Sequence, residues 1–301
     1  MKRTILGAAG LALFLAAAPV AAACPPDGHD AGSLAALKAA GFAVADPAAR
    51  DALALGLLDC LADPDPVLRD GIAYEALTTW LRGDALDAGT RRTLLESLLP
   101  WIAPDAEPGD GFRAPFAALA LSEVARTDRI AAWLDPAARD ALVEAAAAYV
   151  ASVDDYRGFD AEQGWRHGVA HGADLLMQLA LNPALTETQK RRLLAAVAGQ
   201  VAPAGEHFYV YGEPERLARP VLFVLGAKAI GLDGWKAWLQ GVAAPAPLAS
   251  WRDAYASQAG LAKRHNTRAF LLALYAGTLG SDDPDMQAYA AAVAEVLRTV
   301  G

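Results

Sequence analysis

Asp135-Pro136-Ala137-Ala138-Arg139-Asp140-Ala141-Leu142 repeats Asp46-Pro47-Ala48-Ala49-Arg50-Asp51-Ala52-Leu53 residue for residue. Each copy opens with a helix-start signal. The aspartate carboxylate can take up free N–H groups of a first turn, and the proline sits where no backbone N–H is needed. One match sets no repeat period, but it shows helices started by the same chemistry. Asp65-Pro66 and Pro284 read the same way, Ser33 can cap a first helix, and Thr186-x-x-Gln189 is a capping box. The segments that follow carry one apolar stripe, such as Leu53, Leu57, Leu58 and Leu61, opposite a polar face. Breaks fall at Asp63–Pro66, at the proline- and glycine-bearing stretch 103–111 and at Asn182-Pro183.

The pattern predicts around a dozen helices, each about 12 to 18 residues long, joined by short loops. They include 115–126, 136–153, 165–181, 214–230, 234–242, 251–279 with a break near Gly260, and 284–300. His207-Phe208-Tyr209-Val210-Tyr211 alternates like a strand but has no obvious partner and reads as an extended loop. Phosphate-binding glycine loops and alternating strand–helix units are absent. The predicted class is all-α, with helical hairpins stacked in a HEAT-like α-α superhelix or solenoid arc. A closed α/α toroid is the architectural rival.

The chain has 301 residues, 54% of them hydrophobic, enough for a sizeable core. Its 18 prolines and 26 glycines serve as punctuation and form no low-complexity tract. The formal charge is −9, and −11 after residue 23, with no run of lysine or arginine. Such a chain is a poor nucleic-acid binder, and its acidity reads as solubility.

Met1-Lys2-Arg3, the apolar run Ile5 to Ala18 and the small residues Ala21-Ala22-Ala23 form a signal-peptide pattern over 1–23. A tail, 24–32, and a single all-helical domain, 33–301, follow. No later segment is apolar enough to span a bilayer. The expected location is periplasmic or secreted. Cys24, first after the cleavage point, opens an alternative, a lipid anchor, although Ala21 is smaller than the residue usual at such sites. Cys60 is the only other cysteine, so a Cys24–Cys60 disulfide competes with a lipidated Cys24 and a buried Cys60 thiol.

The stretch from Asp154 to Asp174 concentrates the chemistry. It holds His167 and His171, two of the chain's five histidines. Continued as a helix from Trp165, it puts His167, His171 and Asp174 on one face, with Gln178 a turn on. Trp165, Val169, Leu176 and Leu179 then form a core face, and Gly168, Gly172 and Ala173 admit a close neighbour. His167, His171 and Asp174 could hold a divalent transition metal such as zinc, with Asp174 a ligand or an orienting group. They could instead act catalytically, one histidine as acid or base positioned by Asp174. Hydrogen bonding to a polar ligand, or a purely structural polar network, fits the same residues. The metalloprotease pattern HExxH fails because Gly168 stands where the glutamate belongs.

Arg157, among Asp154, Asp155 and Asp160, either pairs with one of them or faces an anion. Glu215 and Arg216, at the start of a helix opened by Glu213-Pro214, are further ligand-binding candidates, and His207 joins them if that end folds over the histidine helix. Trp165 is the tryptophan placed to line a pocket. Asp155, Asp160, Glu162 and Glu215 leave paired-carboxylate hydrolysis open, whereas nothing resembles a serine-nucleophile elbow.

At these residues the chain resembles the bacterial family catalogued as domain of unknown function 2785. The resemblance rests on Asp155-x-Arg157-Gly158-Phe159, on Gly164-Trp165-x-His167-x-x-Ala170-His171-x-Ala173-Asp174 and on Glu213-x-Glu215-Arg216-Leu217-Ala218. Gly111-Phe112-Arg113-Ala114-Pro115-Phe116 resembles the family's segment with an arginine and a phenylalanine before a helix, and Arg69-Asp70-x-Ile72-Ala73-Tyr74 and Asn266-x-x-x-Phe270-x-x-x-x-Tyr275 match more weakly. It covers about 34 to 279 and implies an all-helical domain with no established activity, so no residue role carries over. Two functions stay open: a polar site that binds a small polar ligand or a metal, or works as a hydrolase-type enzyme; and a non-catalytic helical-repeat scaffold for a protein partner, with structural histidines.

Overall fold

The aspartates before prolines do cap helices. Asp46 accepts from the Ala48 amide at 3.1 Å, Asp65 from that of Val67 at 2.8 Å and Asp135 from that of Ala138 at 2.8 Å. The Thr186–Gln189 capping box is formed in both directions. At the first helix the cap is Asp30, not Ser33, which sits three residues on and closes the box.

A computed structural model describes residues 24–301; the expected signal peptide lies outside the described residues. The helices are α1 (Ala31–Ala39), α2 (Pro47–Gly56), α3 (Pro66–Leu68), α4 (Glu75–Arg82), α5 (Ala88–Leu98), α6 (Arg113–Ile130) and α7 (Pro136–Ser152), then α8 (Gly168–Ala180), α9 (Glu187–Gln200), α10 (Glu213–Gly226), α11 (Leu232–Val242), α12 (Gln258–Thr278) and α13 (Pro284–Val300). A π-helical segment, Arg69–Tyr74, joins α3 to α4 without a break. Among the described residues the fold is all-α apart from one small hairpin. Its strands β1 (Phe159–Asp160) and β2 (Gly164–Trp165) pair antiparallel, Phe159 opposite Trp165.

The sequence reading contains no such hairpin at 159–165. Its strand-like stretch His207–Tyr211 is the extended loop it expects, held where the Tyr209 amide donates to Asn266 Oδ1 at 2.9 Å. Helix α8 starts at Gly168, three residues later than its apolar pattern suggests. The predicted break near Gly260 falls just before α12, where a 3₁₀ turn, Trp251–Ala256, precedes the Ser257 cap.

Alternate helices pack in succession: α4 on α6, α6 on α8, α8 on α10 and α10 on α12. Beside this row α7 packs on α9, and α11 on α13. Because each helix of the row follows a return helix, the loops leading into α6, α8 and α10 meet at one end of the fold. Helix α8 is central and buried nearly all round, with Val169, Ala173, Leu175, Leu176 and Leu179 at 2% exposure or less. Its small residues admit helices, not a ligand. A Cβ at Gly172 would stand 2.7 Å from Val150 Cγ2 of α7, and one at Gly168 3.3 Å from the Tyr149 hydroxyl. Cys24 is disulfide-bonded to Cys60, tying the tail to the turn Asp59–Ala62. No helix among the described residues is long and apolar enough to cross a membrane.

Candidate functional site

The end where these loops meet is built around an arginine. Arg69, on the π-helical segment, is fully buried, its guanidinium 4.0 Å from the Phe112 ring centroid and 4.8 Å from that of Phe116. It donates to the carbonyls of Asp63 at 2.9 Å, Pro64 at 3.2 Å and Gln163 at 2.7 Å. Arg166 lies over the same Phe112 ring at 4.2 Å and donates to the Asp110 carbonyl at 3.1 Å. Two guanidiniums on one aromatic ring thus clamp the hairpin to the entry of α6.

The clamp fixes the residue that follows it. His167 is the N-cap of α8 and takes a left-handed backbone, φ 58° and ψ 41°. Its amide donates to the Arg157 carbonyl at 3.1 Å. The sequence reading puts His167 on the helix; it precedes it, and the left-handed turn brings its ring back beside His171, centroids 5.8 Å apart. Trp165 stacks on His167 at 4.8 Å and touches Phe159 at 5.2 Å. Trp165 is therefore no part of a core face: it stays 38% exposed.

Both imidazoles are held neutral. Burial, reinforced by the Arg216 charge, lowers His167 to about 4, with the Tyr211 carbonyl acting weakly the other way. His171, buried against the edge of Phe116, is lowered to about 3 by burial, by His167 and by Arg216. Asp174 is hydrogen-bonded to neither ring. Its Oδ2 lies 3.1 Å from Arg216 Nη2 and its Oδ1 3.9 Å from Arg219 Nη1. Burial raises Asp174, and the two arginines oppose that rise. The expected face of two histidines and an orienting carboxylate is thus split, because helix α10 supplies Asp174 with cations. Gln178 is engaged elsewhere, accepting from Arg129 at 3.1 Å.

Arg157 takes the internal option. Its Nε donates to Asp155 at 2.8 Å, and the carboxylate of Asp155 is held below its usual range because the Arg157 bonds outweigh its burial. Glu215 and Arg216 do come to the histidines. With Trp165, His167, His171, Asp70, Tyr211 and Arg219 they line an open cleft of about 440 Å³. Asp70, Tyr211 and Arg219 were not singled out by the sequence as site residues. Tyr211 is delivered by the extended loop, and its ring lies on Gly158, where a Cβ would fall inside it. Asp70 stands in the weak match Arg69-Asp70-x-Ile72; the π-helical winding that turns it to the cleft left no mark in the apolar pattern.

Two buried imidazole nitrogens at this cleft have no hydrogen-bond partner: His167 Nε2 and His171 Nδ1. Asp70 Oδ2 is ion-paired with Arg69 Nη2 at 2.7 Å, and burial still raises the Asp70 carboxyl against that charge. Unpartnered buried groups cost about 1–3 kcal/mol each, so a cluster of them marks a place built for something else. It is not a metal set as it stands. Among the described residues no three His, Cys, Asp or Glu side chains are grouped to hold a metal ion.

The sequence matches no curated protein and no solved structure. Residues 106–276, more than half of the chain, match the model of a family described as a protein of unknown function, DUF2785. That span holds the clamp's Phe112 and Arg166, both cleft histidines, Tyr211, Glu215 and Arg216, while Arg69 and Asp70 lie before it. With its helical row, its hairpin and its histidine-lined cleft, the chain belongs to the domain of unknown function 2785 family.

Proposed function

We propose that the cleft binds a small, polar, hydrogen-bonding ligand. The observation that carries this is the convergence of His167 Nε2 and His171 Nδ1, both buried and both without partners, on a cleft that also holds Asp70, Glu215 and two guanidiniums. A neutral imidazole offers one donor and one acceptor, which suits a hydroxyl or amide. The cleft volume of about 440 Å³ falls in the range of small-molecule sites.

Acid–base catalysis is the weaker reading. A general base works best with a pKa near the working pH, and imidazoles at about 4 and about 3 are poor proton acceptors at neutrality. Zinc would favour neutral imidazoles, but the third ligand in the predicted set, Asp174, is committed to Arg216 and Arg219. The scaffold alternative draws on the row of alternate helices, which suits a two-layer superhelix as well as a toroid. It leaves the unpartnered atoms without a purpose. Export to an oxidising compartment is part of the proposal and is supported by the Cys24–Cys60 disulfide, which a lipidated Cys24 would forgo.

The test is a thermal-shift screen of the purified protein against small polar compounds: monosaccharides, polyols, amides, nucleosides and zinc chloride. A ligand of the cleft raises the melting temperature of the unaltered protein and not of a His171→Phe variant. Stabilisation by zinc alone would replace the proposal with the metal reading. If no compound shifts the unaltered protein, the proposal fails.

A further inference from the structure

A second cavity, of about 430 Å³, lies on the far side of Tyr211, lined by Tyr156, Arg157, Phe159, Arg166 and His207 among others. Tyr211 lines both cavities. Its ring packs against the Gly158 backbone, with no room for a Cβ, and forms the ridge that the two cavities share. The second cavity repeats the chemistry of the first. His207 stacks on Tyr156 at 5.0 Å, its Nε2 is buried without a partner, and burial lowers its pKa.

We infer that the ligand is a neutral oligosaccharide of two or more units, lying across Tyr211 with one unit in each cavity. This deepens the proposed function and rests on it. Three observations select the class. First, the rim keeps large rings in solvent: Phe159 is 52%, Trp165 38% and Tyr211 37% exposed. A sugar ring presents an apolar C–H face to such surfaces while its hydroxyls reach the polar floor. Second, unpartnered imidazole nitrogens occur on both sides of the ridge, His207 on one and His167 with His171 on the other. Each neutral ring can both donate to and accept from a hydroxyl, which a cationic site could not. Third, each cavity is lined by charges of both signs, Arg157 and Arg166 with Asp160 in one and Arg216 and Arg219 with Asp70 and Glu215 in the other, so neither presents a field of one sign that calls for an ionic ligand. A peptide added as a further strand would need a sheet edge to pair with, and the hairpin strands are two residues each.

The experiment is isothermal titration of the purified protein with soluble oligomers of glucose, mannose, xylose and N-acetylglucosamine, one to six units long. In one series affinity should rise about tenfold or more between one unit and two or three, then level off. His207→Ala should remove that gain, bringing the longer ligands down to the affinity of a single unit, while Trp165→Ala should weaken ligands of every length. A measurement on the unaltered protein guards against a misfolded variant. In ¹H–¹⁵N spectra of the imidazoles, the two-unit ligand should shift the signals of His207 and His167 together, the single unit only one of them. Affinity independent of length, or tighter binding of uronate oligomers or peptides than of every neutral series, would overturn the inference while the small-ligand reading stands. Failure of every small polar compound to bind would remove both.

Discussion

Nη2 of Arg69 donates to the backbone carbonyl of Gln163 at 2.7 Å, across 94 residues of sequence. Through this bond a π-helical segment near the start of the fold fixes the hairpin that carries Trp165. Replacing Arg69 by alanine leaves the carbonyls of Asp63, Pro64 and Gln163 without their donor and opens space beside Phe112. The expected loss is about 3 kcal/mol or more, from groups costing about 1–3 kcal/mol each when buried and unpaired. Urea denaturation measures it. Arg69→Lys, whose three N–H bonds all radiate from one atom, should recover only part, because the fork that serves three carbonyls is gone. Full recovery by lysine would show that charge alone is needed.

The cleft histidines make stability depend on pH in a definite direction. Their folded-state values, about 4 for His167 and about 3 for His171, lie below the ordinary 6.5. Between those limits the unfolded chain binds more protons than the folded one, so stability falls as the solution is acidified from about pH 6.5. Above that pH the contribution is fully present. Each histidine can add at most about 1.4 kcal/mol per pH unit to the slope. Unfolding measured from pH 7.5 to 4.5 should show a flatter decline in a His167→Asn/His171→Asn double variant than in the unaltered protein. Equal slopes would mean that the rings already carry protons in the fold.

Gly158 is required by its neighbour. A Cβ at that position would enter the Tyr211 ring, so Gly158→Ala must move the ring from between the two cavities. The expected cost is about 1–3 kcal/mol, typical of forced overpacking. The fluorescence of Trp165, whose ring lies 5.7 Å from that of Tyr211, should change as well. A variant with unchanged melting temperature and emission would place Tyr211 elsewhere in solution.

Reduction of the Cys24–Cys60 disulfide should also be felt. The two cysteines are 36 residues apart, and closing such a loop in the unfolded chain corresponds to about 4 kcal/mol on the chain-entropy model. Thermal unfolding with and without reductant, beside a Cys24→Ser/Cys60→Ser variant, measures it. If reductant lowers the melting temperature of the variant as much as that of the unaltered protein, the effect is not the disulfide's.

The helices were legible because their starts are written locally: Asp46, Asp65 and Asp135 cap as their neighbouring prolines suggest. Arg157 found its partner within two residues, at Asp155, one of the two options the local sequence offers. What was not legible depends on distant segments. Asp174 reads as a partner of the histidines one and two turns before it, yet its cations come from α10, whose approach no helical wheel shows. His167 reads as helical because the i, i+4 spacing to His171 fits; the hairpin and the Arg69–Phe112–Arg166 clamp override it. Tyr211 and Asp70 reach the cleft through an extended loop and a π-helical turn, neither of which has a period to recognise.

The left-handed backbone of His167 separates what folding wants from what the cleft wants. A residue with φ 58° in front of a helix is most comfortable as glycine or asparagine, and any other L-residue there costs of the order of 1 kcal/mol. Nothing in the capping of α8 calls for an imidazole, since its side chain makes no cap hydrogen bond. The same turn swings that ring between Trp165 and His171, at the floor of the cleft. At this one position the polypeptide is less stable than a simpler sequence would make it, and the shortfall is spent on holding a ring in place.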